Sequence, residues 1–134
     1  MAQEDIDRMR EGYEAMGRGD FNAVLELMDP EIEIRDRPEI PDPQTYRGRE
    51  GVLLALGQNS ESFDDLEMVP ESFVEGGDQM VVCILLRGRG RVSGVPVEDR
   101  LAHRWTIRDG RAVALQVYSD PAEALRAAGL ADRS

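Results

Sequence analysis

The sequence has no lysine, one cysteine and one histidine, and each scarcity excludes a class of chemistry. All 16 basic residues are arginine, so catalysis through a lysine Schiff base and a lysine-dependent P-loop are both excluded. The single cysteine, Cys83, cannot form a disulfide within the chain, and the single histidine excludes a multi-histidine metal site. We therefore expect a protein that works without a metal or an organic cofactor.

Aromatic residues and long apolar runs are also scarce. Aromatic residues make up 5% of the chain, which argues against a large stacking site for a polycyclic substrate. The start of the chain is too polar for a signal peptide, and no apolar run approaches the length of about 18 residues that spans a membrane. The net charge of −11 argues against binding to nucleic acid or anionic membranes. These features predict a cytoplasmic protein.

What is present fits one domain over residues 1–134, because 41% of the residues are hydrophobic and can form a core. Apolar residues at helical spacing predict a first helix through Ile6 and Met16, and Asp20 is a good N-cap for a second. A third helix is predicted near 48–60 and a fourth after Asp120. Strands are predicted at 31–36, 66–75, 79–92, 97–108 and 112–119, with an irregular, proline-rich segment at 37–46 that is suited to cover a cavity mouth.

This order predicts an α+β fold, in which a curved antiparallel sheet forms a cone-shaped half-barrel closed by the N-terminal helices, with a short C-terminal helix. Strand alternation turns Asp36 and His103 toward the interior, together with the apolar side chains of their strands. The opposite face of the 97–108 strand carries arginines and is expected to face water. An inward carboxylate or imidazole is costly without a partner, so the pair indicates a pocket. The alternative is a strand-end aspartate bonded to local backbone or to Arg35 or Arg37, and a core histidine with one hydrogen bond.

Several motifs and their order carry a family resemblance. They are GDF at 19–21, YRGREG at 46–51, HRWTIRDGR at 103–111 and the ending that runs from Tyr118 to Leu130. Together they resemble the nuclear transport factor 2-like superfamily, specifically its SnoaL-like and ketosteroid-isomerase-like domains. The superfamily includes isomerases, cyclases, dehydratases, epoxide hydrolases and non-catalytic binders, so the fold alone does not decide the function.

The resemblance implies roles for individual residues. Asp36 is similar in position to the general base of the steroid isomerases, and His103 or its neighbour Ala102 to the group that donates to the developing oxyanion. Strand parity favours His103. Tyr13 lies close to the position of the isomerases' oxyanion tyrosine, on the first helix. Trp105 shares the face of His103 and belongs either to the core or to the cavity wall.

Two further aspartates are candidates for substrate binding. The catalytic aspartate of the SnoaL-like cyclases matches either Asp36 or Asp120, although Asp120 is also a helix cap. Asp99 has inward parity, but the Asp-Arg-Asp set of the epoxide hydrolases also needs an inward arginine, and none is evident nearby. The resulting hypothesis is acid/base catalysis, of isomerase or cyclase type, on a small apolar carbonyl compound. The alternative is a non-catalytic module that binds a hydrophobic ligand or forms an interaction surface. A homodimer is expected in either case.

Overall fold

The computed structural model describes residues 2–131, with side chains described for 3–57 and 63–131. The helices are α1 (Ala2–Gly17), α2 (Phe21–Glu26), α3 (Gly48–Ser62) and α4 (Pro121–Ala128). The strands are β1 (Met28–Arg35), β2 (Thr45–Arg47), β3 (Phe63–Gly76), β4 (Gln79–Gly90), β5 (Pro96–Arg108) and β6 (Arg111–Tyr118). The predicted α+β fold is confirmed, with a curled, unclosed sheet, helices before it and a short helix at the end.

The strands form one sheet in the order β2-β1-β6-β5-β4-β3. The four strands from β3 to β6 form the predicted antiparallel meander, and its last hairpin turns at Asp109 and Gly110. Both turn residues have positive φ, 53° and 76°, which is the conformation of a tight type I′ hairpin. The pairing of β1 with β6 is parallel, so the sheet is mostly rather than entirely antiparallel.

The segment expected to be irregular at 37–46 contains a short strand at its end. Strand β2 pairs with β1, with Thr45 opposite Arg35. Two hydrogen bonds close the base of the intervening loop. The backbone N–H of Asp36 donates to the Gln44 carbonyl at 3.1 Å, and the backbone N–H of Gln44 donates to the Asp36 carboxylate at 3.0 Å. Prolines prevent regular pairing inside the loop, and pairing resumes only after them.

The sheet has a buried cluster on each face. The concave face packs against α1, α2 and α3, where Ile32, Met80 and Ile84 are fully buried. On the other face, α4 packs Ala124 and Leu125 against the sheet. The expectation that the arginine face of β5 is wet is therefore wrong where α4 lies, since α4 buries Ala102 there. Alternation assigns a residue to a face but does not reveal which later helix covers that face. No helix within residues 2–131 is both long enough and apolar enough to cross a membrane.

Candidate functional site

A cavity of about 310 Å³ lies between the concave face of the sheet and the helices α1 and α3. Its walls are mostly apolar and include Met16, Val52, Leu86, Leu101 and Leu115. The side chains with polar atoms that reach it are Tyr13, Asp36, Arg37, Tyr46, His103 and Trp105. Cavities of this size and character are typical of sites for small, largely apolar ligands.

Three of the predicted residues form a hydrogen-bonded group at one wall of this cavity. The hydroxyl of Tyr13, on α1, lies 2.7 Å from Nδ1 of His103, on β5. Trp105 follows two residues later on the same face of β5, and its indole Nε1 donates to the same hydroxyl at 2.9 Å. The Tyr13 and His103 rings are also stacked, with centroids 5.8 Å apart. The sequence did not decide whether Trp105 belongs to the core or to the cavity wall. It belongs to both, because it is buried and lines the cavity.

Burial keeps this group uncharged. Removal from water lowers the pKa of His103 to about 4, so the imidazole is neutral near pH 7. Burial also raises the pKa of the Tyr13 phenol, and the hydrogen bond from Trp105 only partly offsets that rise. The pair is therefore a neutral phenol bonded to a neutral imidazole.

His103 also has a ring nitrogen that faces the cavity. Within residues 2–131, Tyr13 is the protein partner of the imidazole, through Nδ1. No fully enclosed side-chain nitrogen or oxygen among the described side chains lacks a partner. The second nitrogen, Nε2, is therefore open to the cavity that His103 lines.

Asp36 lies at the point where β1 ends and the loop to β2 begins. Its Oδ2 accepts the Gln44 backbone N–H at 3.0 Å, and its own carbonyl accepts Nε2 of Gln116 at 3.0 Å. The half-buried side chain lines the same cavity as His103. The sequence left two alternatives for Asp36, a hydrogen bond to local backbone and a position at the cavity. Both occur together in the structure.

Arg37 is a cavity residue that sequence parity missed. It also lies 3.7 Å from the Asp99 carboxylate, so an arginine does stand near Asp99, contrary to expectation. The strand has ended at Arg35, and alternation no longer applies to the residues that follow. The signal that was available is the proline at 38, which marks the end of regular strand geometry.

Two aspartates predicted to bind substrate lie outside this cavity. The Asp99 side chain is 55% exposed and accepts the backbone N–H of Arg100 at 2.8 Å. Asp120 caps α4 by accepting the N–H of Ala122 at 2.9 Å. Parity correctly orients Asp99, but at this end of β5 its side chain remains largely open to solvent. Among the residues that the structure describes, no three His, Cys, Asp or Glu side chains are grouped so that they would hold a metal ion.

The chain is similar to a curated protein sequence and to solved structures along most of its length. It is 27% identical over 120 residues to an uncharacterised protein of Mycobacterium tuberculosis, which covers 88% of this chain and 91% of the relative. An NTF2-like protein of unknown function from Burkholderia pseudomallei superposes with a TM-score of 0.76 at 26% identity, over 92% of this chain and 96% of the other. TerC, crystallised with polyporic acid, has a TM-score of 0.77 at 22% identity and the same two coverages.

The family model of the SnoaL-like domain matches residues 9–115. The match includes the second half of α1 with Tyr13, the Asp36 loop and β5 with His103 and Trp105. Residues 9–115 are well over half of the chain, and the NTF2-like fold of the solved structures agrees with this match. The protein is a member of the SnoaL-like domain family.

Proposed function

We propose that this chain binds a small, mostly apolar carbonyl compound in the cavity and transfers a proton next to its carbonyl group. The observation that carries the proposal is that a carboxylate, Asp36, and a neutral imidazole, His103, line one apolar cavity of about 310 Å³. A base and a hydrogen-bonding group on the walls of a water-poor site are the elements of enolisation chemistry. Neither group needs a metal or an organic cofactor for this role.

In the proposed reaction, Asp36 removes a proton from the carbon next to the carbonyl. The electron pair of that C–H bond moves toward the carbonyl oxygen, which becomes an enolate oxygen, and His103 hydrogen-bonds to it. The protonated Asp36 then returns the proton to the substrate, either at the same carbon or at another carbon of the enolate. A neutral imidazole suits this role of His103, because it can donate a hydrogen bond to the enolate oxygen without carrying a positive charge.

For Tyr13 we propose a different role from the one that the resemblance implies. Its hydroxyl already accepts from Trp105 and contacts His103. We therefore assign to it the positioning of His103 rather than direct donation to the substrate.

The exchange of carbonyl α-protons for deuterium tests the proposal. Small cyclic ketones are incubated with the protein in D₂O, and the loss of their α-proton signals is followed by ¹H NMR. We expect the wild type to accelerate exchange and Asp36→Asn to lower the rate by about 10²- to 10⁴-fold, the usual contribution of a general base. Asp120→Asn is the matched control, because Asp120 caps α4 and does not line the cavity, and it should keep the wild-type rate. Exchange that is not accelerated, or that survives in Asp36→Asn, contradicts the proposal.

The second candidate is a binding protein without turnover. It is favoured by the apolar walls and by the engagement of the Tyr13 hydroxyl with protein groups. Ala55 on α3 lines the cavity, whereas its neighbour Leu54 is 64% exposed. Ala55→Trp should therefore abolish the binding of a small ketone, and Leu54→Trp should not. The protein is a binder without turnover if ketone binding is lost in Ala55→Trp but not in Leu54→Trp, and if the wild type does not accelerate proton exchange.

We also propose that the chain forms a homodimer through the sheet face that α4 leaves open. Val69, Cys83 and Leu85 are only half-buried on that face. Beside them, Arg100 pairs with Glu71 at 2.9 Å, and both side chains remain partly exposed. Apolar side chains flanked by charges of both signs suit a self-complementary contact. Sedimentation equilibrium should give a dimer for the wild type and a monomer for Leu85→Glu.

A further inference from the structure

The hydrogen-bonded group of Tyr13, His103 and Trp105 allows few arrangements of its hydrogens. The indole nitrogen of Trp105 can only donate, so the Tyr13 oxygen, 2.9 Å away, accepts from it. A phenol has one hydrogen of its own, and Nδ1 of His103 lies 2.7 Å from the same oxygen. Among the described residues, Nδ1 is the acceptor available to that hydrogen. The arrangement that satisfies all three side chains has Tyr13 donating to Nδ1.

The opposite arrangement leaves a donor without a partner. If Nδ1 carried the hydrogen, it would donate to a Tyr13 oxygen that already accepts from Trp105. The phenolic hydrogen would then have no protein acceptor in the described part of the chain. Tyr13 is buried, and an unsatisfied buried donor is unfavourable. The network therefore favours one of the two neutral forms of the imidazole.

We propose that Trp105 and Tyr13 hold His103 as the Nε2–H tautomer, so that this wall presents a fixed hydrogen-bond donor to any ligand in the cavity. The inference rests on the proposed function and names its ligand more closely. The cavity should prefer an apolar compound with an acceptor oxygen, such as a ketone or an enolate, over an apolar compound of the same shape without one. Trp105 and Tyr13 are positioning residues in this scheme.

Further observations describe what a ligand would meet at His103. His103 lines the cavity with Nε2 open to it. Burial lowers the pKa of the imidazole to about 4, so near pH 7 it has one donor nitrogen and one acceptor nitrogen, and the tautomer decides which one a ligand meets. The surrounding walls are mostly apolar, and the other donor-bearing side chains that line the cavity are Tyr46 and Arg37, which lies 3.7 Å from the Asp99 carboxylate.

Nitrogen NMR of the whole protein tests the tautomer directly. The chain has one histidine, so the imidazole signals of uniformly ¹⁵N-labelled protein belong to His103 without further assignment. At pH 7 we expect a pyrrole-like shift for Nε2 and a pyridine-like shift for Nδ1. The reverse pattern, or the averaged shifts of two exchanging tautomers, would overturn the proposal. This measurement needs no variant and is independent of catalysis.

A pair of variants tests the positioning residues. Tyr13→Phe removes the donor to Nδ1, and we expect the two imidazole shifts to move toward averaged values. Tyr118→Phe removes a hydroxyl that contacts Arg104 at 3.2 Å and does not line the cavity, so the shifts should stay at wild-type values. If both variants keep the wild-type pattern, Tyr13 does not set the tautomer. If Tyr13→Phe does not fold, the wild-type shifts, which need no variant, still decide the tautomer.

A matched pair of ligands tests the preference. 2-Adamantanone is a rigid apolar ketone that does not readily enolise, and 2-methyleneadamantane has nearly the same shape without the oxygen. Loss of one hydrogen bond should weaken binding by about ten-fold, measured by NMR titration. Equal affinities overturn the preference while leaving the cavity as a binding site. Binding of neither compound contradicts both the preference and the proposed function, whereas binding of the ketone without α-proton exchange of other ketones contradicts only the catalytic proposal.

Discussion

Tyr13 and Trp105 are 92 residues apart in the sequence and share a hydrogen bond of 2.9 Å between the phenolic oxygen and the indole nitrogen. With the contact of the same oxygen to His103, this bond joins α1 to the centre of the sheet. One hydroxyl therefore has two functions: it fastens a helix to β5, and it orients the imidazole in the cavity.

We expect Tyr13→Phe to lower the free energy of unfolding by about 1–3 kcal/mol, because it leaves the Trp105 N–H and the His103 Nδ1 without a partner. Urea unfolding followed by circular dichroism measures the change. Tyr118→Phe removes the same atom from a half-buried position, where the hydroxyl contacts Arg104, and should cost less than about 1 kcal/mol since water can replace it. Equal losses in the two variants would show that the buried network adds no more to stability than the contact of Tyr118 with Arg104.

Stability should depend on pH through His103. An unfolded imidazole titrates near 6.5, and burial lowers the pKa of the folded one to about 4. Between these values the unfolded chain binds a proton that the folded chain does not, so His103 contributes its full stability above pH 6.5 and loses it as the pH falls toward 4. The loss across this window is about 3 kcal/mol, at about 1.4 kcal/mol per pH unit.

His103→Gln removes this titration and leaves the 27 acidic residues unchanged. Unfolding free energies measured at intervals from pH 4 to 7 should therefore fall more steeply with acid in the wild type than in the variant. Parallel curves would mean that His103 titrates alike in the folded and unfolded chains.

Asp120 should matter for stability and not for the ligand. Its carboxylate accepts the Ala122 N–H at the start of α4, and loss of such a cap costs about 1 kcal/mol. We expect this loss in Asp120→Ala and near wild-type stability in Asp120→Asn, which keeps an acceptor. Both variants should bind 2-adamantanone as the wild type does. Weaker ketone binding in Asp120→Asn would support the predicted role of Asp120 in substrate binding.

Two glycines of α3 should respond oppositely to alanine. A Cβ at Gly51 would lie 2.9 Å from the Tyr46 carbonyl carbon, so the helix must move away from β2. A Cβ at Gly57 would meet nothing within 4 Å. We expect Gly51→Ala to destabilise by more than about 1 kcal/mol and Gly57→Ala to stabilise by about 0.5–1 kcal/mol through helix propensity. Thermal unfolding of both variants checks the sign. A stabilising Gly51→Ala would contradict the close packing of α3 on β2.

Features that depend on neighbouring residues were predictable. The caps at Asp20 and Asp120 and the hairpin at Asp109 and Gly110 follow from local chemistry and are found where expected. Alternation also turned His103 inward. These predictions succeed because each needs only a few consecutive residues and the period of one strand or helix.

Features that depend on distant residues were not predictable from the pattern. The burial of Ala102 depends on α4, which follows in the chain. The place of Arg37 in the cavity depends on a loop that prolines remove from regular geometry. The bond between Tyr13 and His103 joins two elements 90 residues apart, and no spacing within either element encodes it. The fold family restricted the candidates, but only the packing of α1 on β5 identified the polar group.

The two hydrogen bonds between Asp36 and Gln44 link the proposed base to part of the cavity wall. The oxygen that accepts the Gln44 N–H belongs to the proposed base, and the segment between these residues supplies Arg37 and Ile40 to the cavity lining. In the proposed reaction, a proton on the Asp36 carboxyl makes it a poorer acceptor for that N–H. The proposed proton transfer would therefore weaken one of the two hydrogen bonds that close this loop, so the base and the wall that carries Arg37 and Ile40 are coupled through one side chain.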